Sequence, residues 1–435
     1  MDLREALEHL DAHINREATA GLLHGLSLES MERLVAVLGD PQTAFRSIHV
    51  TGTNGKGSTS RMISALLEAH GLVVGTYASP HLQRINERML LNGEPISDDD
   101  LAAVVTDLAR LAPLSGVTPS YFELLTAGAF QWFAENAVDV AVVEVGLLGR
   151  YDATNVIDAD VAVVTTIGRD HTDGVGDWQL AVATEKAGII KPDSRLVSGV
   201  TDRRLQQVLL AEGPVAAWFR PDDLDVVADR PAVGGRVVDL RTPFGEHTDV
   251  FVPLHGLHQA ENLVVAISAV EAFFDRALGD ELINEALSGL TMPGRFEVVA
   301  HHPLVIIDGA HNPDGARAAT RTLHDEFDTV GRRVLVVGML GGRDPVEMLE
   351  CLDARSMDLV ICCSPASERA IPAADLAEIV RAMGVMAEQI DDVATAVARS
   401  IDVSTDDDVI LIAGSLYVAG AARTAVEFLR RDGVV

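Results

Sequence analysis

Lysine is almost missing from this chain. Of 34 basic side chains among 435 residues only Lys56, Lys186 and Lys191 are lysines, and the rest are arginines. Where either cation serves, as on a solvated face, such a bias runs unopposed. A position that resists it calls for a compact ammonium or a nucleophilic amine, which a guanidinium does not supply. Cysteine is scarce too. Cys351, Cys362 and Cys363 are odd in number and lack CxxC spacing, so they suggest neither a disulfide framework nor a zinc site and read as buried thiols of a reducing compartment. Positive charge is deficient overall, with a net charge of −31. That argues against a nucleic-acid surface and against anionic membranes, and it obliges any anionic ligand to find a locally positive pocket. The acid surplus itself reads as a solvated, repelling surface. No apolar run approaches the roughly 18 residues of a membrane span. The opening "MDLREALEHL" alternates acids and apolars like an amphipathic helix, without the basic start and apolar run of a secretory signal. A soluble, cytoplasmic protein is expected.

What the chain has instead is a rhythm of short β-branched runs between helical patterns. "SIHV", "LVVGTY", "VDVAVVEV" and "DVAVVTTI" form one block, and "PLVIIDG", "RVLVVG", "DLVICC" and "VILIAG" a second. Near-continuous apolar runs suit strands covered on both faces, so an α/β class with two mostly parallel sheets is predicted. Between the blocks, residues 213–255 carry Gly, Pro and charged turns around "GRVVDL" and "TDVFVPL", predicting an antiparallel edge or a small subdomain. A helix is expected at "AENLVVAISAVEAFF", and the turn-rich "SGLTMPGRFEVV" places a boundary near residues 294–300.

One turn in the first block carries chemistry. "SIHV", then "TGTNGKGS", then a helical pattern stopped by Gly71 make the strand, glycine-rich loop and helix that a phosphate cradle requires. Gly52, Gly55 and Gly57 let backbone N–H groups converge, and the helix N-terminus adds positive potential. Lys56 would reach the β- and γ-phosphates and Ser58 would hold Mg²⁺. The pattern departs from the usual G-x-x-x-x-G-K-[ST], since its first glycine is missing and Gly57 separates Lys56 from Ser58. Glu144 ends one predicted strand and His171 follows another. Beyond the carboxyl ends of a parallel sheet they can share a crevice with Lys56, with Glu144 as a Mg²⁺ ligand. Taken singly, Glu144 could equally cap a helix, and His171 could pair with Asp170 in an ordinary loop.

In order along the chain stand "HVTGTNGKGST", "ASPHL", "YFELLT", "VVEVGLLGRYDATN", "DHT", "EKAGIIKP", "HQAEN", "PGRFEVV", "DGAHNP" and "AGSLYVAG". Together they resemble the folylpolyglutamate synthase and dihydrofolate synthase family of the Mur ligase superfamily. The resemblance implies a P-loop-type ATPase domain over residues 1–296, followed by a smaller Rossmann-like glutamate-ligase domain over residues 297–435. It also implies an ATP-dependent amide ligase that phosphorylates a pterin carboxylate and lets the amine of L-glutamate displace the phosphate. A ligase of the same superfamily acting on another carboxylate is the alternative. A chain starting its ATPase domain so near residue 1 disfavours the cell-wall branch.

Carried onto this sequence, the resemblance assigns Thr53, Asn54, Gly55, Lys56, Gly57 and Ser58 to the ATP phosphates, with Asn262, Arg295 and Asp308 completing the ATP site. It makes Ser58, Ser79, Glu144 and His171 magnesium ligands. Tyr121, Phe122, Glu123 and Leu124, with Tyr151, Asp152 and Ala153, would line the pterin site, while His311 and Ser415 would serve the glutamate side. Lys186 matches a position the family carbamylates; a salt bridge to Glu185 or Asp170 is the plainer role, but Arg would fill that one. Lys191 reads as a surface charge. Small-molecule substrates, no nucleic acid, no membrane and a monomer are expected, with closure of the domains during catalysis. Two departures stand out: Leu148 where the family usually has glycine, and Arg169 where it commonly has an apolar residue.

Overall fold

A computed structural model describes residues 1–15, 27–169, 176–327 and 330–431. The described chain divides into two compact units. One comprises residues 1–232, 237–253 and 259–290, and the other residues 233–236, 254–258 and 291–435.

The first unit is built on eight strands: β1 (Arg46–Thr51), β2 (Val74–Tyr77), β3 (Met89–Leu91), β4 (Glu94–Pro95), β5 (Val140–Glu144), β6 (Val161–Val164), β7 (Arg195–Ser198) and β8 (Ala216–Phe219). They lie in the order β4-β3-β2-β5-β1-β6-β7-β8. From β2 to β8 every pairing is parallel, and only β3, antiparallel to both β2 and the short edge strand β4, runs against the rest. The β-branched runs are the central strands: β1, β5 and β6 are buried almost throughout, as strands covered on both faces must be. The register aligns Val50 with Glu144 and Thr51 with Val164, so three strands end at the same level as the glycine-rich turn. The helix Lys56–Ala69 packs on β1, β2 and β5. A core of Leu10, Leu34, Tyr77, Leu124, Phe130 and Phe133 includes residues of the N-terminal helices and the helix Tyr121–Glu135.

The connecting region is partly as expected. "GRVVDL" and "TDVFVPL" fall on β10 (Gly235–Arg241) and β11 (Glu246–Val252), which with β9 (Asp225–Ala232) form a three-stranded sheet in the order β11-β10-β9. Residues 216–219, however, extend the large sheet as the parallel edge strand β8. The expected helix at residues 260–274 runs from Leu257 to Phe274.

The second unit carries β12 (Glu297–His301), β13 (Leu304–Ile307), β14 (Arg333–Val337), β15 (Leu359–Cys362), β16 (Ala387–Gln389) and β17 (Val409–Ala413). Their order is β12-β13-β17-β14-β15-β16, and only β12 is antiparallel. Cys362 and Cys363 are fully buried there, which pushes both thiols up to about 12, whereas Cys351 is only half-buried. Among the described residues no helix is long and apolar enough to cross a membrane.

Candidate active site

The glycine-rich turn leaves β1 at Thr51 and enters its helix at Lys56. Gly52 has φ 151° and Gly55 φ 87°, and neither has room for a side chain. A Cβ on Gly52 would lie 1.8 Å from Thr165 Oγ1, and one on Gly55 2.3 Å from Asn262 Oδ1. The close packing reflects how the loop is held. Thr165 Oγ1 donates to Asn54 O at 2.7 Å, Thr53 N donates to Thr166 O at 2.9 Å, and Gly168 N donates to Thr53 Oγ1 at 2.9 Å. Sequence reasoning passed over Thr165 and Thr166, although two hydroxyls ending an apolar strand were the available signal.

Two of the three lysines converge on one atom. Lys56 Nζ donates to Gly52 O at 3.0 Å, and Lys186 Nζ, from the helix Trp178–Ala187, donates to the same oxygen at 2.9 Å. Lys186 is only 4% exposed. The Lys56 ammonium held at the loop supplies local positive potential of the kind that the acidic composition demanded.

The carboxylate at the end of β5 lies beside the same loop. Glu144 is buried, its Oε2 accepts from Ser79 N at 3.3 Å, and a Cβ on Gly57 would sit 3.5 Å from that oxygen. Ser58 and Ser79 are buried as well. One carboxylate and serine hydroxyls are a hard-oxygen set of the kind Mg²⁺ accepts when substrate phosphates complete its sphere, so these residues fit the ion. Among the described residues no group of three His, Cys, Asp or Glu forms an all-protein metal cage. His171 lies outside the described residues, as does Asp170.

The "GLLGRYDATN" segment forms a loop between β5 and β6. Leu148 has φ 61°, the left-handed region where a side chain is strained and glycine is not. Its carbonyl accepts from Thr51 Oγ1 at 2.6 Å. Gly149 rests on the Lys186 backbone, with 3.0 Å from its would-be Cβ to Lys186 Cα. Asp152 is inside the loop: Oδ2 accepts from Leu147 N at 2.7 Å, and Oδ1 from Thr154 N at 3.0 Å and Thr154 Oγ1 at 2.5 Å. Burial raises its pKa against those hydrogen bonds. Tyr151 is exposed and Ala153 buried. Lys191 is not the surface charge expected of it. It is half-buried, donates to Asn155 O at 3.2 Å, and burial lowers its pKa.

The "YFEL" residues start a helix. Ser120 and Glu123 form a reciprocal cap, Leu124 is fully buried in the core, and Tyr121 is buried. Phe122 lies over Gly146, 2.5 Å from a Cβ placed there. Asn262 is buried and donates to Gln259 Oε1 at 3.1 Å.

In the second unit Asp308 follows β13. Its Oδ2 accepts from Phe296 N and its Oδ1 from Ala310 N, both at 2.8 Å. Burial raises its pKa, while Arg295 opposes the shift. His311 Nδ1 lies 2.9 Å from Gly309 O. Ser415 is buried and accepts from Val418 N at 3.1 Å, at the start of the helix Leu416–Arg431.

Residues 50–270 match the Mur ligase middle domain, and residues 294–416 match the Mur ligase glutamate ligase domain. The chain is 40% identical to the dihydrofolate synthase/folylpolyglutamate synthase of Mycobacterium tuberculosis, across 92% of this chain and 89% of that one. The structure is similar to the Mycobacterium tuberculosis folylpolyglutamate synthase complexed with ADP and AMPPCP, at TM-score 0.89 and 37% identity over 98% of both chains. It is also similar to a bifunctional folylpolyglutamate synthase/dihydrofolate synthase of Yersinia pestis complexed with AMPPNP and a manganese ion, at TM-score 0.85 and 31% identity over 98% of both chains.

Proposed function

The chain belongs to the folylpolyglutamate synthase/dihydrofolate synthase family of Mur ligases, and from that premise we propose that it joins L-glutamate to the carboxylate of a pterin acceptor at the expense of ATP. The observation that carries this reading is the meeting of Lys56 and Lys186 at Gly52 O, beside Glu144. An acceptor carboxylate oxygen attacks the γ-phosphorus of ATP, and ADP leaves. The glutamate amine then attacks the acyl carbon and loses a proton, and inorganic phosphate departs with the former carboxylate oxygen.

Backbone N–H groups of residues 55–58 and the Lys56 ammonium bind and orient the phosphates, Thr53 and Asn54 hold the loop in place for them through their bonds to Thr166, and a fixed positive cradle stabilises charge as it shifts to the leaving group. Ser58, Ser79 and Glu144, with His171, would hold Mg²⁺, which when bound neutralises phosphate charge. Asn262, Arg295 and Asp308 serve ATP. Tyr121, Phe122, Glu123 and Leu124 and the Tyr151–Ala153 segment shape the acceptor side, Leu124 from within the core. His311 and Ser415 serve glutamate. Lys186 acts as a carbamate: its amine adds CO₂ and loses a proton, giving an anion that a guanidinium cannot form. The protein acts in the cytoplasm as a monomer, on small molecules only.

The test supplies Mg²⁺, ATP and L-glutamate with dihydropteroate and tetrahydrofolate in parallel and reads product masses. A glutamate-sized gain on dihydropteroate alone identifies a dihydrofolate synthase, on tetrahydrofolate alone a tail-lengthening enzyme, and on both a bifunctional one. No gain on either contradicts the folate reading and favours a Mur-type ligase with another carboxylate acceptor.

A further inference from the structure

His49 is a fully buried imidazole in the middle strand of the large sheet, and the mechanism above gives it no task. Its Nε2 lies 2.9 Å from Thr154 Oγ1, and its Nδ1 is buried without a hydrogen-bond partner. The proton positions follow from the neighbours. Thr154 has one hydroxyl proton, and the 2.5 Å contact with Asp152 Oδ1 uses it, because a carboxylate only accepts. Thr154 Oγ1 must then accept from His49, which fixes the neutral Nε2–H tautomer. Burial, with Lys191 adding repulsion, lowers the His49 pKa to about 3 and keeps the ring neutral. The result is a directed chain from His49 through Thr154 to Asp152, whose other oxygen takes Leu147 N at 2.7 Å.

Two positions further along β1, on the same face of the strand, Thr51 donates to Leu148 O at 2.6 Å. One strand therefore holds both ends of the loop 147–154, and Gly52 of the phosphate cradle is the next residue after Thr51. We infer that His49 is a positioning residue for the acceptor: through Thr154 and Asp152 it sets the loop 147–154 at a fixed distance from the phosphate cradle. The inference rests on the ligase reading. It assigns His49 to the acceptor side of the reaction, while nucleotide binding is left to the cradle's own hydrogen bonds with Thr165, Thr166 and Gly168.

The test compares wild type, His49→Leu, His49→Gln, Thr154→Val and the double variant His49→Leu/Thr154→Val. Acceptor KM, ATP KM, the Kd of a non-hydrolysable ATP analogue and thermal stability are read for each. Loss of one directed hydrogen bond raises acceptor KM about tenfold in His49→Leu and in Thr154→Val, with analogue Kd within about twofold of wild type. The double variant is no worse than either single one, because both cut the same chain. His49→Gln, which retains a donor, recovers most of the loss. Equal loss of acceptor and nucleotide binding, additive effects, or no effect would overturn the inference. Should His49→Leu fail to fold, Thr154→Val against Thr154→Ser gives the same contrast. Wild type without turnover would instead sink the ligase reading, so the two failures are distinct.

Discussion

The lysines show how far one residue type speaks for itself. Lys56 and Lys186 stand out because arginine was not used there, and both reach Gly52 O. Lys191 was legible only as a charge, because its burial and its bond to Asn155 O come from tertiary packing that local sequence does not reveal. Lys186→Arg keeps the positive charge but cannot form a carbamate. Turnover is expected to fall by roughly a hundredfold or more, and wild-type activity is expected to decline in CO₂-depleted buffer. An active Lys186→Arg enzyme would remove the carbamate from the mechanism. Leu148 is the second residue with a consequence. At φ 61° it bears left-handed strain, so Leu148→Gly is predicted to raise unfolding free energy by about 0.5–1 kcal/mol, strain relief exceeding the added freedom of the unfolded chain. Denaturant unfolding checks it, and a destabilised variant would mean that side-chain packing outweighs the strain.

Elements were more legible than contacts. Every β-branched run became a strand, because burial on both faces leaves an apolar run in the sequence, whereas the short alternating runs of residues 213–255 could not reveal that residues 216–219 join the large sheet. The phosphate loop was recognised from glycine spacing, but its clamping by Thr165 and Thr166 depends on strands more than a hundred residues apart. Gly52→Ala would press a Cβ into Thr165. It is expected to weaken binding of an ATP analogue by roughly a hundredfold with the overall fold retained by circular dichroism, and near-native affinity would contradict the cradle geometry. A second element-level device joins β11 to two helices. His247 Nδ1 meets Asp280 Oδ1 at 2.7 Å and its Nε2 meets Glu271 Oε1 at 3.1 Å. Burial opposes the charge, but hydrogen bonds to Glu271 and Asp280 outweigh it and raise the pKa above 6.5. A raised folded-state pKa stabilises fully below the unfolded value and loses that contribution as pH climbs through the folded one. The stability gap between wild type and His247→Gln is therefore predicted to be largest below about pH 6.5 and to shrink toward alkaline pH, by denaturant titration across that range. A gap that widens with pH would refute the charged clamp.

At the scale of the whole molecule, composition predicted character without architecture. A net charge of −31 implies self-repulsion in the folded state, which salt screens over a Debye length of about 10 Å at 0.1 M. Thermal stability should rise as sodium chloride increases from a few millimolar to a few tenths molar, by calorimetry, and a falling Tm would show that favourable ion pairs dominate. Ten ordered motifs spanning residues 49–420 made the family legible, but the roles within a motif were not. Asp152 and Leu124 sit inside their own structure, one tying a loop and the other filling a core. Sequence pattern marks such positions without saying which way a side chain points. The claim on which the account turns is that the acceptor carboxylate is phosphorylated before the amide forms. The most direct measurement supplies acceptor labelled with ¹⁸O in that carboxylate and follows the label by mass spectrometry of the released phosphate. One labelled oxygen in inorganic phosphate for each amide formed is the predicted result, and phosphate free of label alongside amide product would contradict it.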